Sequence, residues 1–226
     1  MHYFRFYRDE QIYIDAVTNF QFFASLPTGF GDVLEGVVNI PSDEYEPRAD
    51  EMMAQARTRR AVFSLFRSES NDIVMQTPYM WSVYANYFKG FCVEYTDKIL
   101  DGLANLKDVE NRYATEDVYV DVEYGHDPIA VPTIGETSTL LDTLGHKTSQ
   151  KEQENETRLI FRYPPTKAER LKRSNGELVP IQGREKAFCA IYLGAQASDE
   201  LCALLKDFAQ NYHIPCYKMK LSLEKI

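Results

Sequence analysis

The sequence predicts an α+β fold in a single domain over residues 1–226. Two observations carry this. Strand-like segments outnumber what a strict strand–helix alternation needs, and an Asn-Gly-type turn in "LKRSNGELVPIQ" marks a surface hairpin between antiparallel strands. A third observation removes the main competitors. No G-x-G-x-x-G follows a strand, "GFG" at Gly29–Gly31 is too short for a dinucleotide fingerprint, and no G-x-x-x-x-G-K-[ST] occurs.

The elements follow in order. "HYFRFYR" reads as a first strand, rich in aromatics, and "DEQIYIDAVTN" as a helix with Ile12, Ala16 and Val17 on one side. "FQFFASL" is a second strand and runs into the Gly- and Pro-containing loop "PTGFGDVLEG". "SDEYEPRADEMMAQARTRRA" reads as a helix starting near Glu46, since Pro47 suits only a first turn. "AVFSLFR" is a strand and "SESNDIVMQ" a polar loop. In "TPYMWSVYANYFKG", Thr77 caps a helix, Pro78 fits its first turn and Gly90 closes it. "FCVEY" is a strand, "TDKILDGLANL" a short helix and "DVYVDVEY" an alternating strand. A helix is expected in "TIGETSTLLDTLGHKTSQ", then the strand "ENETRLIFRYP", the hairpin, strand "AFCAIYLG", helix "SDELCALLKDFAQNY" and strand "IPCYKMKLS".

With 44% hydrophobic and 13% aromatic residues, the chain can build a sizeable core. A formal net charge of −9 argues against broad phosphate-backbone binding, although "RYPPTKAERLKR" (Arg162, Lys167, Arg170, Lys172, Arg173) offers a local basic run that also reads as a solvated helix face. Cys92, Cys189, Cys202 and Cys216 form no C-x-x-C pair, and no His/Cys set has zinc spacing, so buried free thiols and no metal are expected. The segment "MHYFRFYRDE" lacks the apolar run of a signal peptide, and no stretch approaches ~20 apolar residues, which points to a cytoplasmic protein.

The most chemically suggestive stretch is "KEQENETRLIF". At strand spacing Glu154, Glu156 and Arg158 share one face, directly against the greasy run Leu159-Ile160-Phe161. Two readings stand. One is a solvated sheet face with a weak Glu156–Arg158 pair. The other is a carboxylate pair aimed at a substrate. The aromatics Trp81, Tyr84 and Phe88, at spacings of three and four, would share one side of a helix and pack as core or line a ligand. Arg5 stands mid-strand among aromatics, with Arg8 as its near neighbour, and Ser64 ends "AVFS". Asp32 and Glu35 sit in the Gly-rich loop, where Asp commonly serves the turn itself. His126 and His146 stand near no Cys or Ser motif, and no G-x-S-x-G supports a serine hydrolase.

Several pieces, taken in order, resemble an uncharacterised bacterial domain-of-unknown-function family found in phage-defence neighbourhoods. "LPTGFGDVLEG" is similar to S-P-x-x-F-N-D-P-F-E, and "AVFSLFRSE" to a strand ending in S-F-S. "YMWSVYANYFKGFCVEY" resembles L-M-W-x-H-Y-A-x-x-H-x-G-x-x-I-x-F, and "VDVEY" a P-V-x-Y strand. "KTSQKEQENETR" resembles K-x-x-x-W-x-x-E-x-E-x-R, and "AIYLGAQAS" a strand ending in Gly. The chain departs where Gly31 replaces Asn, Val33 replaces Pro, Lys151 replaces Trp, and Val83 and Phe88 each replace His.

That pattern in turn resembles NAD-dependent ADP-ribosyltransferases, with a basic residue on the first strand and [E/Q]-x-E on a late one. The resemblance implies their split mixed sheets with flanking helices, NAD as substrate and no metal. It implies a macromolecular acceptor, nucleic acid ahead of protein, and a toxin or defence role with an antitoxin or regulatory partner. By this resemblance Glu156 would stabilise positive charge developing on the ribose and Glu154 would act on the acceptor nucleophile. Arg158 would anchor an acid or phosphate, Arg5 would grip ribose or pyrophosphate, Ser64 would bond the ribose, and Tyr84 would stack on nicotinamide, with Tyr84 or Tyr163 available to an acceptor base. A non-enzymatic binding module on the same fold is the alternative, and a Mg²⁺-dependent nuclease a third reading without a motif.

Overall fold

The computed structural model describes residues 1–27, 38–39, 60–106, 117–125, 129–130, 144–162, 176–181, 183 and 186–220. Along the chain these form β1 (His2–Tyr7), α1 (Gln11–Thr18), β2 (Gln21–Ser25), β3 (Val38–Asn39), β4 (Arg60–Ser68), α2 (Ile73–Gln76), α3 (Pro78–Val83) and β5 (Phe91–Tyr95). A 3-10 turn (Asp97–Leu100) leads to β6 (Ala104–Asn105), β7 (Val118–Asp121), β8 (Glu123–Gly125), β9 (Ile129–Ala130) and β10 (His146–Thr148). A second 3-10 turn (Ser149–Glu154) precedes β11 (Glu156–Arg162), β12 (Gly176–Pro180), β13 (Phe188–Leu193), α4 (Asp199–Asn211) and β14 (Cys216–Lys218). The class is α+β, with mixed sheet pairing and few helices. The chain divides into two compact units. One comprises Met1–Phe23, Phe66–Asp101 and Leu178–Ile226, the other Ala24–Leu65 and Gly102–Glu177. No helix of the described residues is long and apolar enough to cross a membrane.

In the first unit β1 runs antiparallel to β5, β5 antiparallel to β13, and β13 parallel to β14. Alternation of side chains across the strands gives this sheet two apolar faces. On one, Phe4, Phe6, Cys92, Ala190 and Tyr192 meet Phe66, Val74, Met80, Trp81 and Ala85. Trp81 is held twice over: its indole N–H donates to the Val74 carbonyl at 2.7 Å, and its ring meets Phe6 edge-on at 5.2 Å. On the other face lie Tyr7 and Tyr95, whose buried hydroxyls share a hydrogen bond of 2.7 Å, with Phe22 and Phe188 against Tyr95 and Phe208 of α4 behind Phe188. The chain's many aromatics are spent largely here. Helix α4 is well specified locally: Ser198 accepts from the Leu201 amide, Asp199 and Glu200 stand in the first turn, and Leu201, Cys202, Leu205, Phe208 and Ala209 form its buried stripe.

The second unit contains β7, with β11 antiparallel and β6 parallel to it, and a parallel ribbon of β8 and β10. Its core joins Val62, Leu106, Val118, Val120, Leu144 and Ile160. A short parallel pair, β3 with β9, also belongs to it.

Local structure departs from sequence expectation in four places. The polar segment "SESNDIVMQ" holds a helical turn, α2, because Val74 is buried beside Trp81. "TDKILDGLANL" yields a 3-10 turn and then a short strand rather than a helix. In "TIGETSTLLDTLGHKTSQ" residues 133–143 lie outside the described residues, Leu144 is helical, and the expected helix then gives way to strand β10 and the start of a 3-10 turn. The helix expected through Gly90 stops at Val83. Beyond it, Asn86, Tyr87 and Phe88 take φ values of 48°, 52° and 66°, three successive left-handed residues without a glycine. Tertiary contacts override helix propensity here. Phe88 stacks on Trp81 with ring centroids at 5.7 Å, the Gln196 amide donates to the Phe88 carbonyl at 2.9 Å, and Gly194 donates to the Gly90 carbonyl at 2.9 Å. Gly90 is required, since a Cβ there would stand 1.9 Å from the Tyr7 carbonyl oxygen. Residues 42–59 of the helix expected at "SDEYEPRADEMMAQARTRRA", the loop residues Asp32 and Glu35, Asn175 of the Asn-Gly turn, and Lys167, Arg170, Lys172 and Arg173 lie outside the described residues, as do His126 and Tyr163; Arg60 and Ala61 belong to β4, and Gly176 opens β12, which pairs with β2.

A left-handed L-residue costs roughly 1–2 kcal/mol relative to glycine. Tyr87→Gly is therefore expected to unfold at higher urea than Tyr87→Ala, by about 1 kcal/mol, an inversion of the usual order. Denaturation of the two variants side by side checks it; a more stable alanine variant would contradict the left-handed assignment.

Candidate active site

The site grows from a break in the chain at Asn155. Glu154 is the last residue of the 3-10 turn, Asn155 takes a left-handed conformation (φ 35°, ψ 59°), and Glu156 opens β11. The expected strand face of Glu154, Glu156 and Arg158 is thus corrected: only Glu156 and Arg158 share it, and Glu154 reaches the same place by the turn. Asparagine tolerates this region better than other non-glycine residues, which lets the chain reverse there.

Both acids converge on Lys147. Its Nζ stands 2.7 Å from Glu154 Oε2 and 2.6 Å from Glu156 Oε2. Arg158 closes the other side, donating from Nε to Glu156 Oε1 at 2.9 Å and from Nη1 to the Leu144 carbonyl. The Tyr124 hydroxyl accepts the Glu156 backbone N–H at 2.8 Å. Register explains the assembly, because Lys147 on β10 lies opposite Tyr124 on β8 and Arg158 on β11 opposite Val120 on β7. The group is buried: Glu154 is 3% exposed, Glu156 4% and Arg158 0%. Lys151 approaches Glu154 more loosely, at 3.6 Å.

Burial opposes the Lys147 ammonium, yet the Glu156 and Glu154 carboxylates outweigh it and raise its pKa above the ordinary 10.5. Burial pulls the Arg158 guanidinium down to about 9, which leaves it charged at neutral pH. Burial, reinforced by the nearby Glu156 carboxylate, raises Tyr124 above its ordinary 10.0 and keeps it a neutral phenol. The cluster is a balanced set of two acids and two bases, which is how charges persist out of water.

The other sequence-derived residues divide. Ser64, half-buried on β4, shares by alternation the face of Val62, which packs in one core with Ile160, while Ile160 shares the face of Arg158. Ser64 and the acid cluster thus belong to one unit. Arg5 and Tyr84 belong to the other. Arg5 lies on β1 with its guanidinium 6.0 Å from the Tyr7 ring centroid. Tyr84 caps the end of α3, half-buried, with its ring edge-on to Tyr79 at 6.4 Å. Sequence reasoning passed over Lys147 and Tyr124 as site residues. A signal existed, since two acids and one arginine against a greasy run leave a buried charge unbalanced and Lys147 heads the same motif. A second buried carboxylate, Glu94, also went unread; it receives the Tyr192 hydroxyl at 2.8 Å and lies 2.7 Å from His2 Nδ1. Among the described residues no three His, Cys, Asp or Glu side chains gather as a metal site would require.

Replacing Lys147 with methionine strands two buried carboxylates and is expected to cost about 3–5 kcal/mol in chemical denaturation. The pH dependence has a defined sign. Lys147 and Tyr124 both have folded values raised above the ordinary 10.5 and 10.0, so their stabilisation is complete below about pH 10 and is lost as pH climbs through the folded values. Thermal midpoints of the wild type should fall above about pH 10, with a shallower fall in Lys147→Met. No family model, curated protein or solved structure matches the chain.

Proposed function

We propose that the chain is an NAD-dependent ADP-ribosyltransferase acting on a macromolecule, nucleic acid ahead of protein, with Glu156 as the principal catalytic acid and Glu154 beside it. The observation that supports this is the convergence of two carboxylates, at 2.6 and 2.7 Å, on one cationic point. The place where the Lys147 ammonium sits is by construction a place where positive charge is stabilised. A ribose losing nicotinamide develops such charge, and a fixed carboxylate pair suits it. For NAD to use the pair, Lys147 must withdraw and the ribose take its place. Arg158 then keeps Glu156 oriented, and Glu154 is left to accept a proton from the attacking nucleophile. The resemblance of the motif order to the defence-associated family, and through it to the transferases, is consistent with this reading and with a toxin held by an antitoxin or regulatory partner.

A second reading, a non-enzymatic binding module, is favoured by one observation. Both acids are 4% exposed or less and already paired, so the cluster serves stability whether or not it serves chemistry.

Release of nicotinamide from NAD, assayed with RNA, single-stranded DNA and lysate protein as acceptors, separates the two. Glu156→Gln is expected to lower turnover by ~10²–10³ per folded molecule, with folding followed by near-ultraviolet circular dichroism. Turnover close to wild type in a folded Glu156→Gln protein would sink the assignment of Glu156, and no turnover by the wild type with any acceptor would favour the module.

A further inference from the structure

Helix α4 and the edge strand β14 meet on one face of the first unit's sheet, and alternation decides which side chains they turn to each other. Tyr217, in the middle of β14, stacks on Tyr192 with ring centroids at 5.5 Å, on the face that packs against Trp81. Cys216 and Lys218 therefore take the opposite face, where Phe208 of α4 meets Phe188. Cys202 belongs to the buried stripe of α4, one turn from its start. Two cysteines and a lysine are thus gathered between helix and strand.

Lys218 is turned inward. It is an exposed residue on a chain of net charge −9, yet among the described residues its ammonium meets no carboxylate, not even Asp199 or Glu200 in the first turn of α4. Its Nζ donates instead to the Ala197 carbonyl at 2.9 Å and to Cys202 Sγ at 3.1 Å. The carbonyl fixes the nitrogen, and the sulfur, on a residue 7% exposed, is its second partner. Positive charge beside a sulfur is the setting in which cysteines react, since the thiolate and not the thiol attacks an oxidant. The other cysteines are placed differently. Burial pushes the thiols of Cys92 and Cys189 up, and that of Cys216 as well, against a weaker pull from Lys206.

We propose that Cys202 and Lys218 form a redox-modification site, in which a peroxide oxidises the Cys202 thiol to a sulfenic acid and Lys218 condenses with it to a sulfenamide that ties α4 to β14. In the first step sulfur gives up two electrons and the O–O bond of hydrogen peroxide breaks. One oxygen stays on sulfur as S–OH, and the other leaves as water. In the second step Lys218 loses a proton to solvent and its Nζ lone pair forms the S–N bond. The S–O bond breaks, and the oxygen leaves as water with a second proton from nitrogen. A dithiol reverses the link, returning thiol and amine and becoming a disulfide itself. The site stands apart from the transferase reading, since both residues lie in the first unit and neither NAD nor Glu156 takes part.

Treatment of the full chain with hydrogen peroxide, followed by intact-mass and peptide-mass measurement, tests the site. The linked protein should be about 2 Da lighter than the untreated chain, for the two hydrogens lost. The peptides holding Cys202 and Lys218 should be joined, and a dithiol should restore the starting mass. Cys216→Ser should link as the wild type does. Adding Lys218→Arg to Cys216→Ser keeps the positive charge and should keep the near-ultraviolet circular dichroism, but should abolish the link and leave Cys202 carrying oxygen in steps of about 16 Da. The proposal is overturned if Cys202 in the wild type stays unoxidised, or if it gains oxygen without joining Lys218. It is overturned as well if the 2 Da loss maps to a Cys202–Cys216 disulfide that Cys216→Ser abolishes and Lys218→Arg alone retains.

Discussion

One ammonium group keeps two carboxylates together where they would otherwise repel each other away from water. Lys147 Nζ lies within 2.7 Å of both Glu154 and Glu156, in a setting where an unpaired carboxylate costs several kcal/mol. Much of the second unit's local geometry depends on that sharing. The left-handed Asn155 exists because Glu154 and Glu156, on either side of it, must face one point. Strand β10 lies beside β8 in the register that sets Lys147 opposite Tyr124, whose hydroxyl in turn takes the first amide of β11. Arg158 is buried entirely because Glu156 and the Leu144 carbonyl receive its donors. A shift of one residue in β10 would turn Lys147 away from the cluster and leave two buried carboxylates with one fewer cation, so the network fixes register as well as supplying energy.

Under the proposed transferase reading, the same arrangement sets opposing demands on folding and chemistry. Stability asks that the ammonium remain between the acids, whereas charge stabilisation on a substrate asks that it leave. The two are compatible only if the incoming group supplies comparable attraction: in NAD the positive charge lies on the nicotinamide ring in the ground state and passes to the ribose, where the acids would meet it, as the bond breaks. A site of this kind stabilises the transition state more than the bound substrate, the condition for raising turnover rather than affinity alone. Under the proposed transferase reading, Lys147 is a positioning residue whose pairing limits access to the acids.

How much of this was legible in the sequence depended on whether the signal was local. The α+β class, strands in the places of β1, β5, β11 and β13, and helix α4 were expected from the sequence, and all are present; the Ser198 cap of α4 was not read. The acids and Arg158 were singled out from their spacing beside a greasy run, and they do come together. The reason was misread, because strand spacing accounts for Glu156 and Arg158 but not for Glu154. Lys147 escaped because its link to the acids runs through a 3-10 turn and a left-handed residue, and neither has a pattern in the sequence. The helix expected through Gly90 failed for a comparable reason. Pro78 does stand in the first turn of α3, but Thr77 makes no side-chain cap, and the latch from Gly194 and Gln196 that holds Gly90 and Phe88 spans about a hundred residues, invisible to a local reading.

Two of the places where local reading failed share a physical cause. In each unit the motif residues lie next to non-glycine residues in the left-handed region: Asn155 in one, Asn86 with Tyr87 and Phe88 in the other. Each conformation costs energy that regular structure would not, and each is held by specific partners: the Lys147 cluster in the first case, Trp81, Asp9 and the 194–196 amides in the second. Neither turn is needed simply to reverse the chain, since a glycine would do so more cheaply. What a glycine cannot do is carry a side chain. At Tyr87 the side chain carried is an exposed ring. At Asn155 the residue itself is the cheapest non-glycine choice, and the gain falls to its neighbours Glu154 and Glu156. Strain at both places thus serves to aim side chains, one outward toward solvent and two inward onto a single charge.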